Sequence, residues 1–239
     1  MISSPHNEKL KLVRKLRERK HREGEGLFVS EGEDLVGAGL ATGMEPHFLL
    51  SAAGSGLGGE EVEAELLAGV SALGSGTRAI AVWPRVWATD AKPPCLYLHG
   101  VADPGNVGAI VRTAHALVGG TVVLGPGCAD PFGPKAVRAS MGSIFGQALL
   151  RADVGATPQP RAALVAHGGE ELGALSEVAT FCLGAERDGL PAEVLWECDL
   201  QVTIPLRAAG AESLNVAAAA AIVCERISSP AMQEAAEDA

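Results

Sequence analysis

Three short stretches of this chain carry polar side chains on patterns that a folded backbone would hold open to a ligand. The first is Asp103-Pro104-Gly105-Asn106-Val107-Gly108-Ala109-Ile110-Val111-Arg112-Thr113-Ala114. A strand runs into a glycine-bearing turn, and a helix starts near Asn106, whose side chain suits an N-cap. A helix start of that kind leaves backbone N–H groups aimed outward, a natural anion site. Arg112 is the only charged side chain between Asn106 and Leu124, and a guanidinium on an apolar helix is costly to bury alone. It is either an ordinary surface arginine or a group kept for an anion.

The second stretch, Leu183-Gly184-Ala185-Glu186-Arg187-Asp188-Gly189-Leu190, reads as a strand end and a turn whose glycines let backbone come close to a ligand. Glu186 falls where the carboxyl end of a strand meets a crevice, the usual place for sites in open α/β sheets. Plain turn chemistry is the alternative. The third stretch joins Ile204-Pro205-Leu206 through a short loop to Glu212-Ser213-Leu214-Asn215-Val216. Ser213 makes a good N-cap for the closing helix. Asn215, a poor helix former in the first turn, wants another reason to be there.

Several chemistries are excluded. The glycines at 100, 105 and 108 have the wrong spacing for a GxGxxG dinucleotide fingerprint, and no P-loop is present. The histidines at 6, 21, 47, 99, 115 and 167 show no HExxH or other ligand spacing, so no metal site is expected. The five cysteines, at 95, 128, 182, 198 and 224, form no CxxC pair. An odd count at scattered positions with apolar neighbours reads as buried thiols in a reducing cytosol.

The elements that must position these stretches follow from periodicity. Leu10, Val13 and Leu16 recur at helix spacing, with Lys and Arg on the remaining faces. A strand over 26–32, a helix over 34–40, a strand over 46–51, a helix over 60–69 and a strand over 79–82 complete a small α/β unit. Residues 83–94 carry three prolines and read as a linker. Beyond it, strand candidates at 95–101, 121–124, 163–166, 180–183 and 200–204 alternate with helices, which argues for a mostly parallel sheet. An alanine-rich helix over 214–227 and an acidic tail close the chain. The resulting division is an N-terminal domain over 1–83, a linker over 84–94, a second domain over 95–230 and a tail over 231–239.

The net charge is −10, awkward for a nucleic-acid binder, but its distribution is uneven. Lys9, Lys11, Arg14, Lys15, Arg17, Arg19, Lys20 and Arg22 are opposed within their run only by Glu18, while the acidic excess lies at 60–65 and in the tail. The polar N-terminus has no apolar h-region, and no apolar run approaches the roughly 20 residues of a membrane helix. A soluble, cytoplasmic protein is expected.

In order, spacing and shared position at strand ends, the three stretches resemble the motifs of the SpoU/TrmH RNA ribose methyltransferases of the SPOUT class. Asp103–Ala114 is similar to the first motif, Leu183–Leu190 to the second and residues 204–220 to the third. Pro134-Lys135-Ala136-Val137-Arg138-Ala139-Ser140-Met141-Gly142-Ser143 is similar to a further segment of that family. Residues 7–43 resemble its substrate-binding domain. The resemblance implies a mostly parallel α/β sheet with a C-terminal trefoil knot, a small N-terminal α/β substrate-binding domain, and a homodimer paired through the knotted domains. It implies S-adenosyl-L-methionine as cofactor, held by Leu183, Gly184, Ile204, Leu206 and Leu214 with Leu124 and Gly125 beside them. Arg112, Asn106, Glu186, Ser213 and Asn215 would act on a ribose 2′-hydroxyl, and Lys135 and Arg138 would join the basic run against RNA phosphates. Ribosomal RNA is the expected substrate, with transfer RNA second; a catalytically silent RNA-binding or ribosome-assembly protein on the same fold is the rival.

Overall fold

A computed structural model of the chain describes residues 1–73, 76–172, 177–207 and 212–229. The tail expected over 231–239 lies outside the described residues, as do Pro230 and residues 208–211 of the loop before the closing helix. In chain order the elements are α1 (Glu8–Lys15), α2 (Arg19–Glu25), β1 (Leu27–Glu31), α3 (Glu33–Ala41), β2 (Phe48–Ala52), β3 (Glu60–Val62), α4 (Ala64–Val70), β4 (Ala79–Pro84) and β5 (Cys95–Leu98). They continue as α5 (Pro104–Leu117), β6 (Thr121–Leu124), α6 (Pro134–Ala139), β7 (Ala148–Arg151), β8 (Arg161–Leu164), β9 (Glu170–Glu171), β10 (Thr180–Leu183), α7 (Ala192–Trp196), β11 (Leu200–Thr203) and α8 (Val216–Ser228). No described helix is long and apolar enough to cross a membrane.

The described residues form two compact units. One is Met1–Val86 together with Asp130–Gly146; the other is Trp87–Ala129 with the described residues from Gln147 onward. The first unit is built on a sheet of order β1-β4-β2-β3. Asn7 caps α1 by accepting from the Lys9 N–H at 2.9 Å, and Leu10, Val13 and Leu16 are buried in its core, as their spacing requires. The basic run is broken at Leu16-Arg17-Glu18 into two helices, α1 and α2.

Two boundaries in this unit differ from the sequence reading. The helix expected over 60–69 begins only at Ala64, because Glu60–Val62 adds a parallel strand beside β2 and buries Val62 completely. The strand expected to stop at Val82 runs to Pro84. Trp83, placed at the start of the proline-rich linker, is fully buried and donates its indole N–H to the Ser30 hydroxyl at 2.8 Å.

Residues 130–146 were expected within the second domain, yet they complete the core of the first unit. Phe132 packs against Phe28 as a tilted pair with centroids 5.0 Å apart, and Phe145 meets Trp83 edge-on at 4.9 Å. The Asp130 carboxylate is buried between two buried arginines, 2.8 Å from Arg22 and 3.6 Å from Arg85. Arg22 also donates to the Leu16 and Arg17 carbonyls at 2.9 and 2.7 Å. Arg22 is therefore a structural cation and not a free phosphate ligand, which corrects its place in the RNA-binding run.

The second unit carries a seven-stranded sheet of order β7-β6-β5-β10-β8-β11-β9, and its neighbouring strands are all parallel. β7, β9 and α7 had no counterpart in the sequence reading, and β8 starts two residues earlier than expected. The remainder of the expected linker is bonded to this sheet. Ala88 donates to Leu149, and Thr121 and Lys92 exchange two bonds of 3.0 and 2.9 Å.

Removing a partner from a buried ion pair leaves an uncompensated charge. Asp130→Ala should lower unfolding free energy by about 3–5 kcal/mol in denaturant titration, while exposed Lys20→Ala should change it by less than about 0.5 kcal/mol.

Candidate active site

Parallel strands deliver their following loops to one edge of a sheet, and that edge gathers the three polar stretches. β5 and β10 are hydrogen-bonded neighbours with Leu98 in register with Leu183. The helix after β5, the turn after β10 and the start of α8 therefore share a neighbourhood. α5 and α8 pack together extensively.

Each polar group is placed by a local device. Asp103, not Asn106, caps α5: its carboxylate accepts from the Gly105 and Asn106 N–H groups at 2.7 and 3.1 Å, with Pro104 in the first turn. Asn106 is thereby left with a free carboxamide, which donates to Glu186 Oε1 at 2.8 Å. Asn215, not Ser213, caps α8, accepting from the Ala217 and Ala218 N–H groups at 3.0 and 3.3 Å. Its amide nitrogen donates to Glu186 Oε1 at 2.5 Å and to Asn106 Oδ1 at 3.2 Å. The extra reason for Asn215 is now plain. One carboxamide ends a helix with its oxygen and holds a carboxylate with its nitrogen.

Glu186 rides on a tight turn in which Ala185 and Gly189 exchange backbone bonds of 3.1 and 3.0 Å. A Cβ at Gly184 would lie 2.2 Å from the Gly189 carbonyl carbon, so only glycine fits there. Both amide donors reach the same oxygen of Glu186, which leaves Oε2 open among the described residues.

Beside this cluster lies a pocket of about 300 Å³. Leu183, Gly184, Glu186, Ile204, Leu206, Ser213 and Leu214, all expected at the site, line it. So do Leu164 at the end of β8, Val165, Ala166 and His167 just beyond it, and Val216 and Ala219 of α8, which the sequence reading did not assign. The only signal for the β8 wall was a strand candidate running into Gly168-Gly169. Leu124 and Gly125 are not in the lining. Leu124 is buried in β6, and a Cβ at Gly125 would sit 2.3 Å from the Tyr97 hydroxyl, so that glycine serves packing. Burial pushes the Tyr97 phenol above its ordinary range.

Arg112 is exposed, does not line the pocket, and has no hydrogen bond or ion pair among the described residues. Six residues of helix place it about 120° around the axis from Asn106. In the first unit, Lys9 pairs with Glu60, Lys11 with Glu8 and Arg19 with Glu23. Arg14 donates to the Pro5 carbonyl and Arg17 to that of Val70. Lys15, Lys20 and Lys135 are exposed and Arg138 half-buried. Among the described residues, no group of His, Cys, Asp and Glu could hold a metal ion.

Comparison with known proteins bears on the whole chain. A family model described as the SpoU rRNA Methylase family matches residues 93–225, and one described as the MRM3-like substrate binding domain matches residues 7–86. The chain is 32% identical to the 23S rRNA (guanosine(2553)-2'-O)-methyltransferase RlmP of Bacillus subtilis, covering 93% of this chain and 96% of that one. It is 34% identical to the 23S rRNA (uridine(2479)-2'-O)-methyltransferase of Streptomyces viridochromogenes over 52% of this chain and 49% of that protein. The crystal structure of an AdoMet-bound rRNA methyltransferase from Sinorhizobium meliloti superposes with a TM-score of 0.80 at 25% identity, covering 95% and 96% of the two chains.

Two substitutions test how the cluster is held. Asn215→Ala should lower stability by about 1 kcal/mol through the lost cap, and Gly184→Ala by about 1–3 kcal/mol through overpacking. Both effects are read from thermal and denaturant unfolding.

Proposed function

Because the chain belongs to the SpoU rRNA methylase family, we propose that it transfers a methyl group from S-adenosylmethionine to a ribose 2′-hydroxyl of 23S ribosomal RNA. The observation that carries this reading is the Asn106–Glu186–Asn215 cluster at the edge of an apolar pocket. Relatives acting on guanosine and on uridine of 23S rRNA support the substrate class and leave the base open.

The pocket fits the cofactor in size and chemistry. Ligand pockets begin near about 300 Å³ and combine apolar walls with a few polar groups; here Leu183, Ile204, Leu206 and Leu214 supply walls, and Glu186 and Glu212 supply negative charge. Those four leucine and isoleucine side chains and the Gly184 backbone would hold the molecule. When bound, S-adenosylmethionine supplies an electrophilic methyl group on a sulfonium.

The residues of the chain must then make a neutral hydroxyl reactive. A guanidinium has hydrogen-bond donors and no acceptor, so the role of Arg112 is to stabilise the developing alkoxide and clamp the adjacent phosphate. Glu186, fixed by two carboxamides through Oε1, uses Oε2 to orient the ribose or the guanidinium. Asn106 and Ser213 complete the set of hydrogen-bonding groups around the substrate. Arg112 lies outside the pocket lining of its own chain, which favours a homodimer in which α5 of a second copy brings it to the site. The pairing is proposed through the second unit, together with the trefoil knot that family membership implies. Lys15 and Lys20, exposed on α1 and α2, and Lys135 and Arg138 of α6 contact RNA phosphates. The reaction is assigned to the cytoplasm, with no metal taking part.

Two outcomes test the reading. Wild-type protein should place label from S-adenosylmethionine on one alkali-resistant ribose of 23S rRNA, and Arg112→Ala should cut the rate by about 10²-fold or more while cofactor binding persists in calorimetry. Label on transfer RNA alone would move the substrate, and RNA binding without cofactor binding would establish the silent RNA-binding rival. Separately, Lys15→Ala and Lys20→Ala should each lower the slope of log affinity against log salt by about 0.7 in filter binding.

A further inference from the structure

Methionine is ordinarily an interior residue, and a residue in the left-handed region at a helix end is ordinarily glycine. Met141 departs from both. It is 60% exposed, and its φ of 48° is the only positive value at a non-glycine position among the described residues. It directly follows Ser140, the C-cap of α6, and donates its N–H to the Arg138 carbonyl at 3.1 Å. Glycine would hold this turn with less strain, so the side chain is kept for a purpose outside the local backbone.

The turn that carries it is fixed from beneath. Ser140, fully buried, donates its hydroxyl to the Val137 carbonyl at 2.7 Å, and its own carbonyl accepts from the Ser143 N–H at 3.0 Å. Gly142 lies so near α3 that a Cβ there would come within 2.7 Å of the Ala38 Cβ. Ile144 and Phe145 are buried just beyond, Phe145 against Trp83. Flanked in this way, the thioether is presented to solvent from a rigid platform. Its stretch of chain is also cationic. Residues 131–146 contain Lys135 and Arg138 and no Asp or Glu, in a chain whose net charge is −10. The nearest preceding acid, Asp130, is buried between Arg22 and Arg85.

An apolar, polarisable side chain among cations matches a polyanion that also offers flat apolar faces. Unstacked bases in RNA loops are such faces, a methionine sulfur packs well on aromatic rings, and apolar wedges of this kind enter between base steps in nucleic-acid complexes. We propose that Met141 packs on an unstacked base of the RNA while Lys135 and Arg138 hold the phosphates beside it. The site rests on the functional reading that the substrate is RNA, and it adds a base-face contact to the phosphate contacts already assigned.

Binding of the full chain to transcribed 23S rRNA and to bulk transfer RNA is measured by filter binding across a salt series. Met141→Gly removes the side chain and suits the backbone, so it should melt no lower than wild type. It should nevertheless bind the preferred RNA about tenfold more weakly, the worth of roughly one base stack. Its slope of log affinity against log salt should stay at the wild-type value, because methionine neutralises no phosphate, whereas Lys135→Ala should lower that slope by about 0.7. Met141→Leu, which keeps an apolar wedge, should restore most of the affinity. Peroxide converts exposed methionine to its sulfoxide, and peptide mapping of the wild type should show Met141 shielded from it by bound RNA. Affinity unchanged in Met141→Gly, or equal oxidation with and without RNA, would remove the site and leave the functional reading standing. A lowered melting temperature would place the side chain in the fold, and shielding in the free protein would place a second copy over it; either would overturn the proposal. A wild-type chain that binds neither RNA would sink the functional reading together with the site.

Discussion

A single carboxylate oxygen joins three parts of this chain that are far apart in sequence. Glu186 Oε1 accepts from Asn106 on α5 and from Asn215 at the start of α8, and neither donor could reach it without the device that frees it. Asp103 takes over the capping of α5, so Asn106 has a nitrogen to give. Asn215 caps α8 with its oxygen alone, so its nitrogen is also available. Glu186 is held forward by a turn that closes only because residue 184 has no side chain. The cluster depends on the parallel register of β5 and β10, which brings the ends of both strands to the same edge.

Much of this arrangement was legible in the residues. Alternating strands and helices implied the parallel sheet, and the Leu10, Val13, Leu16 spacing implied a helix with one buried face. Strand-end turns with polar side chains implied the site. What escaped was decided by tertiary partners. Asn106, Ser213 and Asn215 all belong to residue types that cap helices, and choosing among such neighbours needs the backbone geometry. Glu60–Val62 looks helical by composition but finds a strand partner in β2. Trp83 and Pro84 sit in a proline-rich run, yet the strand ladder with β1 takes in both and carries Trp83 into the core. Short elements such as β9, two residues long, have too little pattern to be seen at all.

Charge was the least readable property. A run of eight basic residues suggests a uniform cationic face, but the structure sorts them by partner. Arg22 is consumed in the interior by Asp130, and several others are paired with acids or with carbonyls on the same unit. Exposed ion pairs of this kind contribute little to stability, and they exchange partners readily when a polyanion arrives. The acidic balance of the whole chain is thus compatible with a local cationic surface.

The return of residues 130–146 to the first unit also bears on recombination between relatives. The two family models meet near residue 90, with boundaries at 86 and 93, which invites a single crossover there. Such a chimera would pair one parent's Phe28, Trp83, Arg22 and Arg85 with another parent's counterparts of Phe132, Phe145 and Asp130. The heritable module built on the first sheet is therefore discontinuous. Exchange between lineages keeps the module intact only when both of its pieces travel together.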